Sequence, residues 1–275
     1  MDRLRCCAWF LAGLVFAASP LPVHAEASSA AATQMDTPTA VDMAGRQRML
    51  SQRMVKAYLM LGQGIAVDDA RNILQGSIDL FESQLAALKA FQPTPTVRST
   101  LVDLEAAWIK SKALLTSAPN KAGAVDLYDA NEALQKAAHS TTLAYERVSG
   151  TPVDHLVNLA GRQRMLSQRM AKFYFYSTWE LFTDPSDMEL HLSNAHFTAV
   201  LNQIEASPLA TAQIKAGVVK LRREWIPYQQ LLFASRDPTE MRRDAARVAE
   251  LSEQVLAVTE ELVALIVKQE LSALH

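Results

Sequence analysis

The segment Ala-Gly-Arg-Gln-Arg-Met-Leu-Ser-Gln-Arg-Met occurs twice in this chain, at 44–54 and again at 160–170, 116 positions later. A chain that repeats itself at this spacing must fold as two matching halves. The rest of the two halves has diverged, whereas these eleven positions are identical. Cores accept hydrophobic swaps of similar volume, so packing alone does not demand such identity. Each copy also sets three arginines on about two helical turns.

No strand alternation is evident after the first 25 residues. A Ser, Thr or Asp followed by Pro recurs instead, at Thr37, Thr94, Thr151, Asp184, Ser207 and Asp237. The first residue of such a pair caps free N–H groups, and proline suits the first helical position. Asp68 and Asn120 supply the remaining caps, and Gly62, Gly64 and Gly150 read as stops. The pattern predicts helices over 38–62, 69–91, 95–116, 121–149, 152–182, 186–205, 208–235 and 238–272, with a kink at Pro227. Apolar residues recur at three and four along them, as at Leu80, Leu85, Leu88 and Phe91. Phe81 matches Phe197, Trp108 matches Trp225, and Leu134 matches Leu251. The expectation is an all-α fold of two tandem antiparallel four-helix-bundle repeats, 37–150 and 151–275, meeting at Gly150-Thr151-Pro152.

The amino terminus reads as an export signal. Arg3 and Arg5 precede an apolar run from Cys6 to Ala18, and Val23-His24-Ala25 fits a cleavage site. The expectation is a signal peptide at 1–25, cleaved or else retained as an anchor, a flexible lead-in at 26–36 and a periplasmic mature protein. Both cysteines fall inside the signal, which leaves the mature chain without a thiol for a disulfide, a metal or a nucleophile. The formal net charge of −2 gives no broad basic face for nucleic acid.

The repeated segment carries the chemistry. On a helix, Leu50, Met54, Ala57 and Leu61 form a core stripe, while Arg46 and Arg53 share another side. Ala44, Arg48, Ser51 and Val55 form a third side, small enough for two helices to approach closely. The second copy repeats this with Ala160, Arg164, Ser167 and Ala171. Pairing the copies brings Arg48 and Arg164 together, and an anion between them offsets their repulsion. The opposing reading is that carboxylates such as Asp103 or Glu105 satisfy these cations. His191 and His196, five apart on one helix, do not share a face and read as surface residues. The methionines of the repeat read as core filler, and Trp108 and Trp225 as core anchors. No phosphate loop, nucleophile motif or catalytic carboxylate pair stands out. The expectation is therefore no enzyme, no cofactor and no metal.

The two stretches beginning Asp42-Met43-Ala44-Gly45-Arg46-Gln47-Arg48-Met49 and Asn158-Leu159-Ala160-Gly161-Arg162-Gln163-Arg164-Met165 resemble the start of the PilJ-type module. That module forms the N-terminus of type IV pilus chemotaxis transducers. It is similar to the periplasmic domain of NarX-like nitrate/nitrite sensors, with their Gly-x-x-Arg-Met-x-Ser-x-Arg motif. The resemblance implies a small oxyanion, nitrate or nitrite first, held between two motif helices. Carried over, the ligand-binding residues are Gly45, Arg48, Arg53, Gly161, Arg164 and Arg169, with Arg46, Arg162, Ser51 and Ser167 as additions. Gln52 and Gln168 stand where nitrate sensors have an aromatic residue, and Arg46 and Arg162 add charge. No second hydrophobic span or kinase region follows, so the implied partner is a membrane sensor or chemoreceptor. The alternative is a protein-interaction module of a pilus, chemosensory or cell-envelope system, with no small ligand.

Overall fold

Each helix begins where a side chain or a left-handed residue supplies the start. The computed structural model describes residues 35–273. Asp36, not Thr37, caps α1 (Thr37–Gln63), accepting from the Thr39 N–H at 2.8 Å. Thr94 caps α3 (Pro95–Leu115), Asn120 caps α4 (Lys121–Ser149), Thr151 caps α5 (Pro152–Thr178) and Thr211 caps α7 (Ala212–Leu232). Asp237 accepts from the Thr239 and Glu240 N–H groups at the start of α8 (Pro238–Ala273). Two helices start differently. α2 (Val67–Ala90) follows Ala66 and α6 (Thr183–Ala206) follows Phe182, both left-handed at φ 41° and 51°. Asp68 and Asp184 therefore lie in first turns rather than at caps, where their charge still suits the helix dipole.

Three expected ends move for local reasons. Gly62 lies inside α1, and Gly64, left-handed at φ 69°, closes it. α5 stops at Thr178, because Glu180 and Phe182 are both left-handed. Ser207-Pro208 ends α6 instead of opening α7. α7 runs through Pro227. The expected signal at 1–25, and most of the lead-in at 26–36, lie outside the described residues. No described helix is long and apolar enough to cross a membrane.

Short loops make successive helices antiparallel. In each half the four pack in a ring, α1 to α4 and α5 to α8, giving two tandem four-helix bundles of an all-α fold. Equivalent aromatic pairs anchor the bundles. Phe81 stacks on Trp108 with centroids 4.2 Å apart, and Phe197 on Trp225 at 4.1 Å. Met49, Met54, Met60, Met165 and Met170 are buried among them.

The most extensive helix pairing joins the halves, α1 against α5. The two motif helices run parallel. Near their starts Arg48 reaches the Asn158 carbonyl; near their ends Gln63 donates to the Phe175 carbonyl at 2.9 Å and accepts from Thr178 at 2.8 Å. At the far end the Trp179 indole fills the space beside Gly62, where a methyl group would stand only 2.1 Å from the ring.

Candidate functional site

Small residues let α1 and α5 approach, and that approach buries both ligand-type arginines. Arg48 and Arg164 are 0 % exposed. A methyl group at Gly161 would meet Nη2 of Arg164 at 3.3 Å and Nη2 of Arg48 at 3.5 Å. One at Gly45 would meet the same two atoms at 4.0 and 3.2 Å. The two guanidinium groups thus converge between the two glycines. Ser51 and Ser167 donate back to the carbonyls of Arg48 and Arg164, at 2.7 and 2.8 Å, which occupies both hydroxyl protons inside their own helices.

The remaining motif arginines serve a different pair of contacts. Arg53 and Lys56 both hold Glu253 of α8 at 2.5 Å, and Arg53 also donates to Ser77. In mirror fashion, Arg169 and Lys172 both hold Glu132 of α4 at 2.8 Å, and Arg169 also pairs with Glu189 at 2.9 Å. Burial pushes both carboxyl groups up, but the paired cations overcome it and hold Glu132 and Glu253 at about 2. Gln47 and Gln163 reach the equivalent carbonyls of Phe81 and Phe197, at 3.4 and 2.9 Å. Much of the repeated segment is therefore spent on buried polar bonds, which fix residue identity in a way packing does not. Asp103 and Glu105 take no part; Glu105 pairs with Lys89.

These contacts set the correspondence between halves. Residues of α1 map to α5 at an offset of 116. Residues of α4 map to α8 at 121, because Asn131 and Glu132 meet Lys172 as Ser252 and Glu253 meet Lys56. The expected match of Leu134 to Leu251 is thus off by one helical turn, a slip that leaves an apolar stripe unchanged.

The correspondence exposes an asymmetry at the arginines. Arg164 is held by Glu260 at 2.8 Å and by Asp42. Arg46 joins the same two acids, at 2.7 Å to Glu260 and 3.5 Å to Asp42. The positions equivalent to Glu260 and Asp42 in the other half are His139 and Asn158. Arg48 accordingly meets a ring nitrogen of His139 at 3.3 Å and the Asn158 carbonyl at 3.4 Å. Nε of both arginines is buried without a partner. Among the described residues no carboxylate pairs with Arg48 or with the half-buried Arg162.

The electrostatic consequences differ accordingly. Burial lowers the Arg48 pKa, and Arg162 and Arg164 lower it further, to about 9, with Glu146 opposing. Burial also disfavours charge on Arg164, but Asp42 and Glu260 more than restore it. Burial, Arg48 and Arg162 push His139 down to about 4, which leaves its ring neutral at pH 7. Glu146, the acid that opposes this shift at Arg48, is engaged by Asn158 and by His155.

The model of the type IV pili methyl-accepting chemotaxis transducer N-terminal family matches residues 30–139 and again 152–254. The chain belongs to this family. The two matches fall on the two bundles, so the protein is a tandem pair of the family's modules. No characterised protein and no solved structure shows significant similarity to it. Within this tandem family member the candidate residues separate into two groups. Gly45, Arg48, Gly161 and Arg164 come together between α1 and α5. Arg53 and Arg169 lie on flanking faces, bound to acids. Sequence reasoning missed Asp42, His139, Asn158 and Glu260. The Asp42 and Asn158 difference was visible beside the repeat; the His139 and Glu260 difference needed the fold.

Proposed function

We propose that this protein is an exported, non-enzymatic sensor that holds one small oxyanion, nitrate or nitrite first, beside Arg48. A membrane chemoreceptor or sensor of the envelope reads the occupied state. The observation that carries this reading is the replacement of Glu260 and Asp42 by His139 and Asn158 at the buried Arg48. Four arginines (46, 48, 162 and 164) meet three carboxylates (Asp42, Glu146 and Glu260), and the deficit lies at Arg48 and Arg162. An unpaired buried cation is costly, and a planar anion restores its hydrogen bonds. His139 and Arg162 are only half-buried, and that side gives an anion its approach.

A four-atom anion gains at most about 6 kcal/mol at the small-ligand ceiling of about 1.5 kcal/mol per atom. That corresponds to a dissociation constant of tens of micromolar, roughly. A signal requires that the anion prefer one arrangement of the halves. The α1–α5 seam, which carries Arg48 and Arg164 and joins both bundles, is the element to bias. The alternative, a ligand-free module that docks acidic partners through these arginines, needs them at the surface. Arg48 and Arg164 have no exposed surface.

Calorimetry with nitrate, nitrite, sulfate and chloride tests the proposal. Wild type gives saturable heat with at least one planar anion, Arg48→Ala gives none, and Arg53→Ala retains it. Absence of heat with every anion, or unchanged heat in Arg48→Ala, overturns it.

A further inference from the structure

A cluster of rings where α4 meets α5 and the start of α6 has no counterpart at the equivalent place, where α8 meets α1 and the start of α2. Tyr128 of α4 packs on Phe182 with centroids 4.3 Å apart and on Tyr176 at 5.6 Å, and Tyr176 meets Phe182 at 5.8 Å. Phe182 is the left-handed residue before α6, equivalent to Ala66 before α2. At the offset of 116 Tyr176 corresponds to Met60. At the offset of 121 Tyr128 corresponds to Ala249. That second offset is supported again at the helix starts, where Tyr58 meets Asn120 as Tyr174 meets Met241, 121 positions on.

Three rings are thus replaced by two alanines and a methionine. The space has not closed. Met60, Ala66 and Ala249 line a largely apolar cleft of about 470 Å³ between α1, α2 and α8, together with Ile73 and Ala257. Its volume lies within the range of small-molecule sites. Glu253 borders it but is already held by Arg53 and Lys56, just as Glu132 borders the ring cluster held by Arg169 and Lys172. At the mouth stand Asp69 and Glu250, both exposed; Glu250 pairs with Arg247.

We propose that this cleft is a second ligand site, which takes a small aromatic compound, uncharged or bearing an amine. The ring of the ligand sits where the rings of Tyr128 and Phe182 sit at the equivalent place between α4, α5 and α6. The acidic mouth favours an ammonium group and repels a carboxylate. The site is built from α1, α2 and α8 and does not depend on the anion site. α1 carries Met60 at one end and Arg48 towards the other, so one helix serves both.

Titration calorimetry with phenethylamine, indole and phenylacetate tests the assignment. Phenethylamine and indole bind saturably, and phenylacetate binds at least about tenfold more weakly. Ala66→Phe with Ala249→Tyr, which copies the ring-filled counterpart, abolishes binding of both ligands. Phe182 already shows that a ring tolerates this backbone conformation. Asp69→Lys changes only an exposed residue, weakens phenethylamine and narrows its advantage over phenylacetate. Nitrate titration of the filled variant is unchanged, which separates this site from the first. Absence of saturable binding by either favoured probe, or undiminished binding in the filled variant, overturns the proposal.

Discussion

Two side chains decide the character of the central seam. His139 and Asn158 leave Arg48 with neutral partners, whereas Glu260 and Asp42 neutralise Arg164. Replacing His139 by the residue of the other half reduces the asymmetry. His139→Glu gives Arg48 a carboxylate, a charge-assisted hydrogen bond contributing about 1.5–3 kcal/mol. The expected result is a higher melting temperature and no heat with nitrate. A variant that melts no higher, or still binds nitrate, contradicts the reading of Arg48 as the unpaired cation. The reverse change, Glu260→Gln, leaves Arg164 short of a partner and lowers the melting temperature. The sequence displayed one half of this device. Asp42 and Asn158 stand two residues before identical segments, so a side-by-side reading of the copies shows a charge lost. His139 and Glu260 sit in helices whose copies share little else, and only their contacts reveal the equivalence.

At the scale of elements, the long polar side chains of the motif helices act as ties between halves. α1 is tied to α8 through Glu253, and α5 to α4 through Glu132. Each carboxyl is held at about 2 in the fold, against an ordinary value of 4.5. Between those values the folded protein binds fewer protons than the unfolded chain, so stability rises with pH. The contribution is fully present above about 4.5 and is lost as pH falls towards about 2. Urea denaturation at a series of pH values is expected to show this loss, and Glu132→Gln with Glu253→Gln to flatten the slope. An equal acid slope in wild type and double variant argues against the ties. Helix existence was legible, because capping residues and three-four periodicity are local signals. The ties were not. Glu253 lies 200 positions from Arg53, and no local pattern selects it over Asp103 or Glu105. Helix ends went astray where proline had two meanings: Thr94-Pro95 opens a helix, while Ser207-Pro208 follows one.

For the whole molecule, the seam makes each bundle depend on the other. Residues 37–150 alone lose the partners of Arg46, Arg53 and Lys56 on α8 and bare the face of α1 that packs on α5. Calorimetry is expected to show one cooperative transition for the full chain, and a fragment of 37–150 that melts lower or associates with itself. A fragment as stable as the full chain would mean that the seam contributes little. The duplication itself was plain from the repeat. That the copies can approach closely was legible in Ala44, Gly45 and their counterparts; that they run parallel, which sets the two bundles side by side, emerged only from contacts far apart in the chain. Two identical subunits meeting at such a seam must present the same atoms from either side, because one gene writes both. Joining the copies in a single polypeptide removes that obligation. One guanidinium has become a strut between two carboxylates, and its twin has none, a division that a symmetric pair cannot evolve.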